Sequence, residues 1–159
     1  MAIDPRDLRN VMGHFPTGVT IVTTKDKTGK VYGLTANALT SLSLDPPLLL
    51  ICVDKGADCY ACFEESKVFA VNFLTEDQEH LSRRFATKGV EKFEGVQCRE
   101  GQTGVPLLEG TMAYLECKVV AGYEGGDHTI YVGEIQAAEA SGERPLLFFK
   151  GKYYRLPQS

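Results

Sequence analysis

The chain has 159 residues, enough for one domain with a proper core and too few for two of ordinary size, so a single domain over 1–159 is expected. Its 17 basic and 21 acidic residues give a formal charge of -4 with no Lys/Arg block, which argues against nucleic acid or an anionic membrane surface as a partner. The longest apolar run, Leu48 to Val53, is far short of the roughly 18 to 20 residues a bilayer span needs, and the N-terminus is acidic where a signal peptide would be basic and then apolar. A cytoplasmic protein is expected.

Asp4-Pro5 followed by Asp7 predicts a helix start, with a side-chain acceptor at the cap and proline in the first turn. Leu8, Val11, Met12 and Phe15 then recur at helical spacing and predict one apolar face, stopped by Pro16 and Gly18. Val19 to Thr24 and Val31 to Thr35 are β-branched segments about the turn Asp26-Lys27-Thr28-Gly29, which reads as a hairpin. The stretch Gly33 to Ser41 is built of small and hydroxyl- or amide-bearing residues, its apolar residues too sparse for an ordinary core strand. It suits a surface for a flat, polar-edged ligand.

Pro46-Pro47 then leads into Leu48 to Val53, the pattern of a strand buried on both faces. Asp58 is placed to cap a short helix carrying Tyr60 and Phe63. Val68 to Leu74 predicts another buried strand, and Thr75-Glu76-Asp77-Gln78 resembles a capping box before a helix with Leu81 and Phe85 on its apolar stripe. Gly89 to Gly110 has little periodicity and reads as a long loop that covers something or contacts a partner. Met112 to Gly122 and Thr129 to Ala138 are strands joined through residues 123–128, and Pro145 to Phe149 pairs with Tyr153 to Leu156 across Lys150-Gly151-Lys152. Six or more strands against two or three short helices predict a mainly β architecture, a closed or nearly closed barrel with helices at its flanks.

The five cysteines are scattered, so reduced thiols are expected, and Cys59-Tyr60-Ala61-Cys62 lacks the second ligand pair a zinc site needs. No metal site is expected. The three histidines form no convincing triad, and Rossmann, P-loop, zincin and nucleophile-elbow patterns are all absent. What remains is backbone rich in dipoles. A flavin suits this, because its ring carries alternating donors and acceptors along one edge and brings its own redox chemistry.

Taken in order, Phe15-Pro16-Thr17-Gly18-Val19, Gly33-Leu34-Thr35-Ala36-Asn37-Ala38, Ser41, Pro46-Pro47, Phe69-Ala70-Val71-Asn72, Arg84-Phe85 and Gly126-Asp127-His128 strongly resemble the flavin reductase family with the FMN-binding split-barrel fold. That family includes the reductase components of two-component flavin monooxygenases. The resemblance implies a homodimeric, six-stranded Greek-key split barrel that moves hydride from NADH or NADPH to FMN or FAD, and an oxygenase partner served by diffusing reduced flavin. It implies that Thr35, Ala36, Asn37 and Ala38 hold the isoalloxazine ring and that Ser41 lies near the ribityl or phosphate portion. Cys52, Val53, Asp54 and Lys55 would line the same groove, with Lys55 a phosphate partner on charge. Arg84 and Phe85 would close the phosphate or adenine side, and Thr17 and His128 would sit by the nicotinamide. Cys52 and Asp54 stand where small or hydroxyl residues are frequent in the family. Two rival readings stay open: a barrel that keeps FMN as an electron carrier or sensor, and a flavin-independent structural barrel.

Overall fold

In the computed structural model, which describes residues 2–158, the first helix, α1 (Pro5–Met12), forms where its cap dictates. The Asp4 carboxylate accepts the Arg6 N–H at 2.8 Å, and Gly13 ends the helix, before Pro16 is reached. Its apolar face stays out of the core: no residue of α1 is buried, and Val11, Met12 and Phe15 are 61%, 61% and 71% exposed.

The remaining elements follow as β1 (Thr17–Gly18), β2 (Thr20–Lys25), β3 (Val31–Ala36), β4 (Leu39–Leu44), β5 (Pro47–Asp54), α2 (Tyr60–Glu65), β6 (Val68–Phe73) and α3 (Glu79–Phe85). Then come β7 (Cys98–Glu100), β8 (Pro106–Leu108), β9 (Ala113–Gly125), β10 (His128–Ala140), β11 (Leu146–Phe149) and β12 (Lys152–Arg155). Seven strands form one antiparallel sheet in the order β3-β2-β6-β9-β10-β5-β4, beside a three-stranded sheet β1-β11-β12 and a ribbon β7-β8.

The shape of the large sheet follows from its connectivity. β3 and β4 are its two opposite edges, about 29 Å apart if the sheet were flat. Yet they are joined by Asn37 and Ala38 alone, and the three steps from Ala36 to Leu39 span at most about 11 Å. The sheet must therefore curl until its edges meet, and bulges in the β9–β10 ladder at Val132/Gly133 and Ile135/Ala137 assist the bend. Counted as one bent stave, β3 and β4 make six in all, the expected split barrel. The Cys52 N–H donates to the Ala38 carbonyl at 3.1 Å and carries the β4–β5 ladder one residue further toward β3. Beyond it β3 and β5 share no ladder, and the barrel stays open there.

Several expectations are corrected. β5 alternates instead of being buried on both faces: Leu49, Ile51 and Val53 enter the core while Leu48, Leu50 and Cys52 are half-buried. The Gly33–Ser41 stretch, by contrast, behaves as expected of residues too sparsely apolar for an ordinary core strand: it supplies most of β3 and half of β4, the two edges of the sheet. Cys59, not Asp58, precedes α2, with no side-chain cap. Before α3 the cap position is Gln78, whose Oε1 accepts the Thr75 N–H at 2.9 Å, half of a capping-box exchange. The predicted loop 89–110 contains the β7-β8 ribbon, tied to the sheet where Asn72 Oδ1 accepts the Leu108 N–H at 3.0 Å.

The core fills the barrel. Phe63, Phe69, Tyr131, Ile51 and Val22 pack in its centre, with the Phe63 and Tyr131 rings stacked at 5.2 Å, and a second cluster about Leu74, Leu81, Phe85 and Leu146 seats α3. Among the described residues no helix is long and apolar enough to cross a membrane.

Candidate active site

The opening between β3 and β5 is a groove of about 350 Å³. One wall is Lys30 to Thr35, the other is Asp54 with Gly56 to Cys59, and the segment from Phe85 to Phe93 closes one side. Local sequence explains each wall. β3 pairs only with β2, so every second residue of its outer edge turns unpaired backbone groups toward the groove. The Gly33 carbonyl is one of them, and by alternation Val31 and Thr35 face the same way. Gly33 must be glycine: a Cβ there would lie 2.7 Å from Phe85 Cε1. Phe85 is buried and meets Phe93 edge-on at 5.1 Å, so it forms a fixed floor.

The opposite wall turns where the Asp54 carboxylate accepts the Gly56 N–H at 2.7 Å. The β9–β10 hairpin is docked onto this end of β5. Gly126 has φ +73 and Asp127 does not, the pattern of a two-residue type II′ turn. The Lys55 N–H donates to the Asp127 carbonyl at 3.0 Å, and His128 stands opposite Asp54 in the ladder. His128 Nδ1 meets Asp127 Oδ1 at 2.7 Å, and this hydrogen bond holds the Asp127 carboxyl below its ordinary range.

The predicted site residues divide on inspection. Thr35, Asp54 and Phe85 line the groove. Thr17 and Asn37 meet beside the seam, Asn37 Nδ2 donating to Thr17 Oγ1 at 3.2 Å. Part of the ring-holding stretch is already engaged: the Thr35 hydroxyl donates to the Ser82 carbonyl and the Thr20 hydroxyl to the Ala36 carbonyl, both at 2.6 Å. The N–H groups of Asn37 and Ala38 have no acceptor among the described residues. Val53 points into the core, so only its backbone can reach the groove. Cys52 is half-buried beside Ala38, and Ser41 is exposed opposite Leu49, further along the seam.

The cations are distributed differently from expectation. Lys55 is bound by the Glu124 carboxylate, which raises its pKa, and it does not line the groove. Arg84 is half-buried: Nη2 donates to the Glu91 carbonyl at 2.7 Å, and Nε is buried without a partner among the described residues. The residue that sequence reasoning missed is Lys92, whose ammonium donates to the Gly33 carbonyl at 3.2 Å. The signal available was the reading of 89–110 as a covering loop; no motif marks Lys92 within it.

Cys59 and Cys62 are free and buried, and burial pushes their thiols up to about 12 and about 11. Such thiols are poor nucleophiles and ligands. Among the described residues no group of three His, Cys, Asp or Glu side chains is arranged to hold a metal.

Residues 12–157 match the family model described as a flavin reductase like domain. The reductase subunit HsaB of a flavin-dependent monooxygenase from Rhodococcus jostii is 41% identical over 153 residues, which is 96% of this chain and 78% of that protein. An NADH-dependent FAD reductase of Streptomyces globisporus is 43% identical over 96% of this chain and 87% of its own. Among solved structures, the NADH:FAD oxidoreductase SgcE6 of S. globisporus C-1027, in complex with NAD and FAD fragments, superposes with a TM-score of 0.91 at 42% identity. That match covers 99% of this chain and 97% of the other. Flavin reductase PheA2 superposes at 0.90 with 42% identity over 98% of this chain and all of that one. With a curled sheet left open at one seam, and with matches that span nearly its whole length, the chain belongs to the flavin reductase like family.

Proposed function

We propose that this protein takes hydride from NADH and delivers it to a flavin, FAD in preference to FMN, and that the reduced flavin leaves to serve an oxygenase component. The observation that carries the reading is the open seam. There the unpaired edge of β3 and the free N–H groups of Asn37 and Ala38 offer fixed backbone partners beside a groove with an aromatic floor. A planar heterocycle with donors and acceptors along one edge fits that surface, and the buried, unpartnered Arg84 Nε fits a ligand that ends in an anion. The choice of FAD and NADH follows the relative of 43% identity named for both.

Asn37 and Ala38 hold the ring edge, and Thr17 fixes the Asn37 amide that would otherwise swing free. Phe85 and Phe93 keep water from the floor, while His128, steadied by Asp127, orients the nicotinamide at the end of β5. When bound, the flavin would supply the acceptor for a hydride that leaves reduced nicotinamide with both bonding electrons, a step that needs no protein base, and the proton taken up with it would come from water. The contribution of the protein is proximity and orientation. We place the protein as a homodimer through the uncovered face of α1, where Leu8, Val11, Met12 and Phe15 lie together in water.

The test is anaerobic mixing with NADH, with and without excess FMN or FAD, following loss of flavin absorbance. Rapid bleaching at catalytic protein concentration, faster with FAD, is the expected result. Tight flavin binding without bleaching by NADH or NADPH would make the protein a carrier.

A further inference from the structure

Away from the flavin groove, one buried polar group has no partner. Tyr131 of β10 is fully buried with its ring stacked on Phe63, and among the described residues nothing hydrogen-bonds its hydroxyl. A buried phenol ordinarily finds an acceptor, and one left alone is costly. Burial raises its pKa, and the neighbouring Tyr60 and Glu64 add to the rise. The phenol therefore stays protonated near neutral pH and has a hydrogen to donate.

The groups around this hydroxyl line a second cleft, of about 310 Å³, between α2 and the β9–β10 hairpin. Tyr60 and Glu64 come from α2, Gly122 stands opposite Tyr131 in the ladder, and Lys67, Glu124 and Thr129 complete the lining. The two openings lie on either side of the start of α2, Cys59 lining the groove and Tyr60 the cleft. Two features keep the cleft open. Gly122 has no left-handed φ to explain it, yet a Cβ there would lie 3.4 Å from Tyr131 Cε1 and 3.8 Å from Glu64 Oε1, so a larger side chain would cover the phenol. Beside it, the bulge at Val132/Gly133 leaves Val120 as an extra residue of β9 and bends the strand at the cleft wall.

The lining selects an occupant by charge and by hydrogen-bond sense. Both carboxylates are already paired, Glu64 with Lys67 at 3.1 Å and Glu124 with Lys55, so the cleft offers no net charge to an ion. Tyr131 needs an acceptor. The Tyr60 and Thr129 hydroxyls share one hydrogen bond at 2.7 Å, which leaves a second hydroxyl hydrogen to donate, while the carboxylates keep lone pairs for donors. A neutral group that both donates and accepts meets these demands, and a hydroxyl does both. The volume is at the lower end for ligand cavities, and a single water, about 30 Å³ in the liquid, would fill a small part of it.

We propose that this cleft binds a small neutral polyol or sugar, the Tyr131 hydroxyl donating to one of its oxygens and Glu64 accepting from a neighbouring hydroxyl. Flavin takes no part in this site, and the binding does not depend on the reductase reaction.

The experiment follows the backbone amide signals of Gly122 and Thr129 by NMR while the protein is titrated with glycerol, D-glucose or glucose 6-phosphate, for the wild type, Tyr131→Phe and Glu64→Ala. Glycerol or D-glucose should shift both signals saturably, with glucose 6-phosphate at least about tenfold weaker because no free cation meets its charge. Tyr131→Phe keeps the ring on Phe63 and should bind the neutral probe about five- to tenfold more weakly, as expected for one lost hydrogen bond. Without the probe it should unfold at the same temperature as the wild type or higher, because an unpartnered hydroxyl stabilises nothing. Glu64→Ala, on an exposed side chain, should weaken the same probe with little change in unfolding temperature. No saturable shift with either neutral probe overturns the proposal, as does unchanged affinity in Tyr131→Phe or binding of the phosphorylated sugar as tight as that of D-glucose. A Tyr131→Phe variant that unfolds several degrees below the wild type overturns it too, because the hydroxyl is then already satisfied by an enclosed water only.

Discussion

Asn72 shows how one polar side chain can hold three strands. Fully buried on β6, it donates to the Ile21 carbonyl at 2.9 Å and to Thr23 Oγ1 at 3.3 Å, and accepts from Leu108 at 3.0 Å. Asn72→Ala strands buried backbone groups on β2 and β8, and should cost about 2 to 4 kcal/mol, read as a lower urea midpoint. Gly33→Ala drives a Cβ into Phe85, which can move only by disturbing Phe93 and the seat of α3. That overpacking should cost about 1 to 3 kcal/mol and weaken flavin binding, measured by thermal unfolding and fluorescence titration. At Asp127, the His128 hydrogen bond lowers the folded-state pKa. Its stabilisation is therefore present above the ordinary carboxylate pKa and is lost as pH falls through the lowered one. His128→Ala should return Asp127 to its ordinary titration, read by NMR of the carboxyl carbon, and weaken NADH binding without abolishing turnover.

Among the elements, α1 has the most legible sequence and the least expected place. Its cap and spacing predict an amphipathic helix, and it is one; yet its apolar stripe faces water because no element of its own chain packs over it. Periodicity reports that a face will be covered, not by what. Val11→Asp with Met12→Asp should shift the proposed dimer toward monomer in sedimentation velocity while far-ultraviolet circular dichroism stays unchanged, because neither side chain supports the monomer fold. β4 and the β7-β8 ribbon escaped prediction for different reasons. β4 is an edge strand whose Thr40, Ser41 and Leu42 are exposed, so burial imposes no strict alternation on it. The strands of the ribbon are three residues long, too short for any period to register.

In the molecule as a whole, burial sorts the five thiols. Cys59, Cys62 and Cys117 lie inside the barrel, with Cys59 and Cys117 pushed up to about 12, while Cys98 is on the surface. A disulfide reagent near neutral pH should modify Cys98 first and reach all five only in denaturant, counted by mass spectrometry. The chain's patterning determined its class: β-branched runs, turn clusters and capped helix starts depend on neighbours within a few residues, and the ordered motifs from Phe15 to His128 carried the family resemblance. The groove itself was decided by tertiary structure. Its walls come from β3, the end of β5 and the loop after α3, and no local pattern records that Asn37 and Ala38 must bridge the edges of a seven-stranded sheet. The partners of the lysines were decided in the same way: Lys55 meets Glu124 and Lys92 meets Gly33 only once the sheet has curled, because a charge has no preferred neighbour until folding brings one within hydrogen-bond reach.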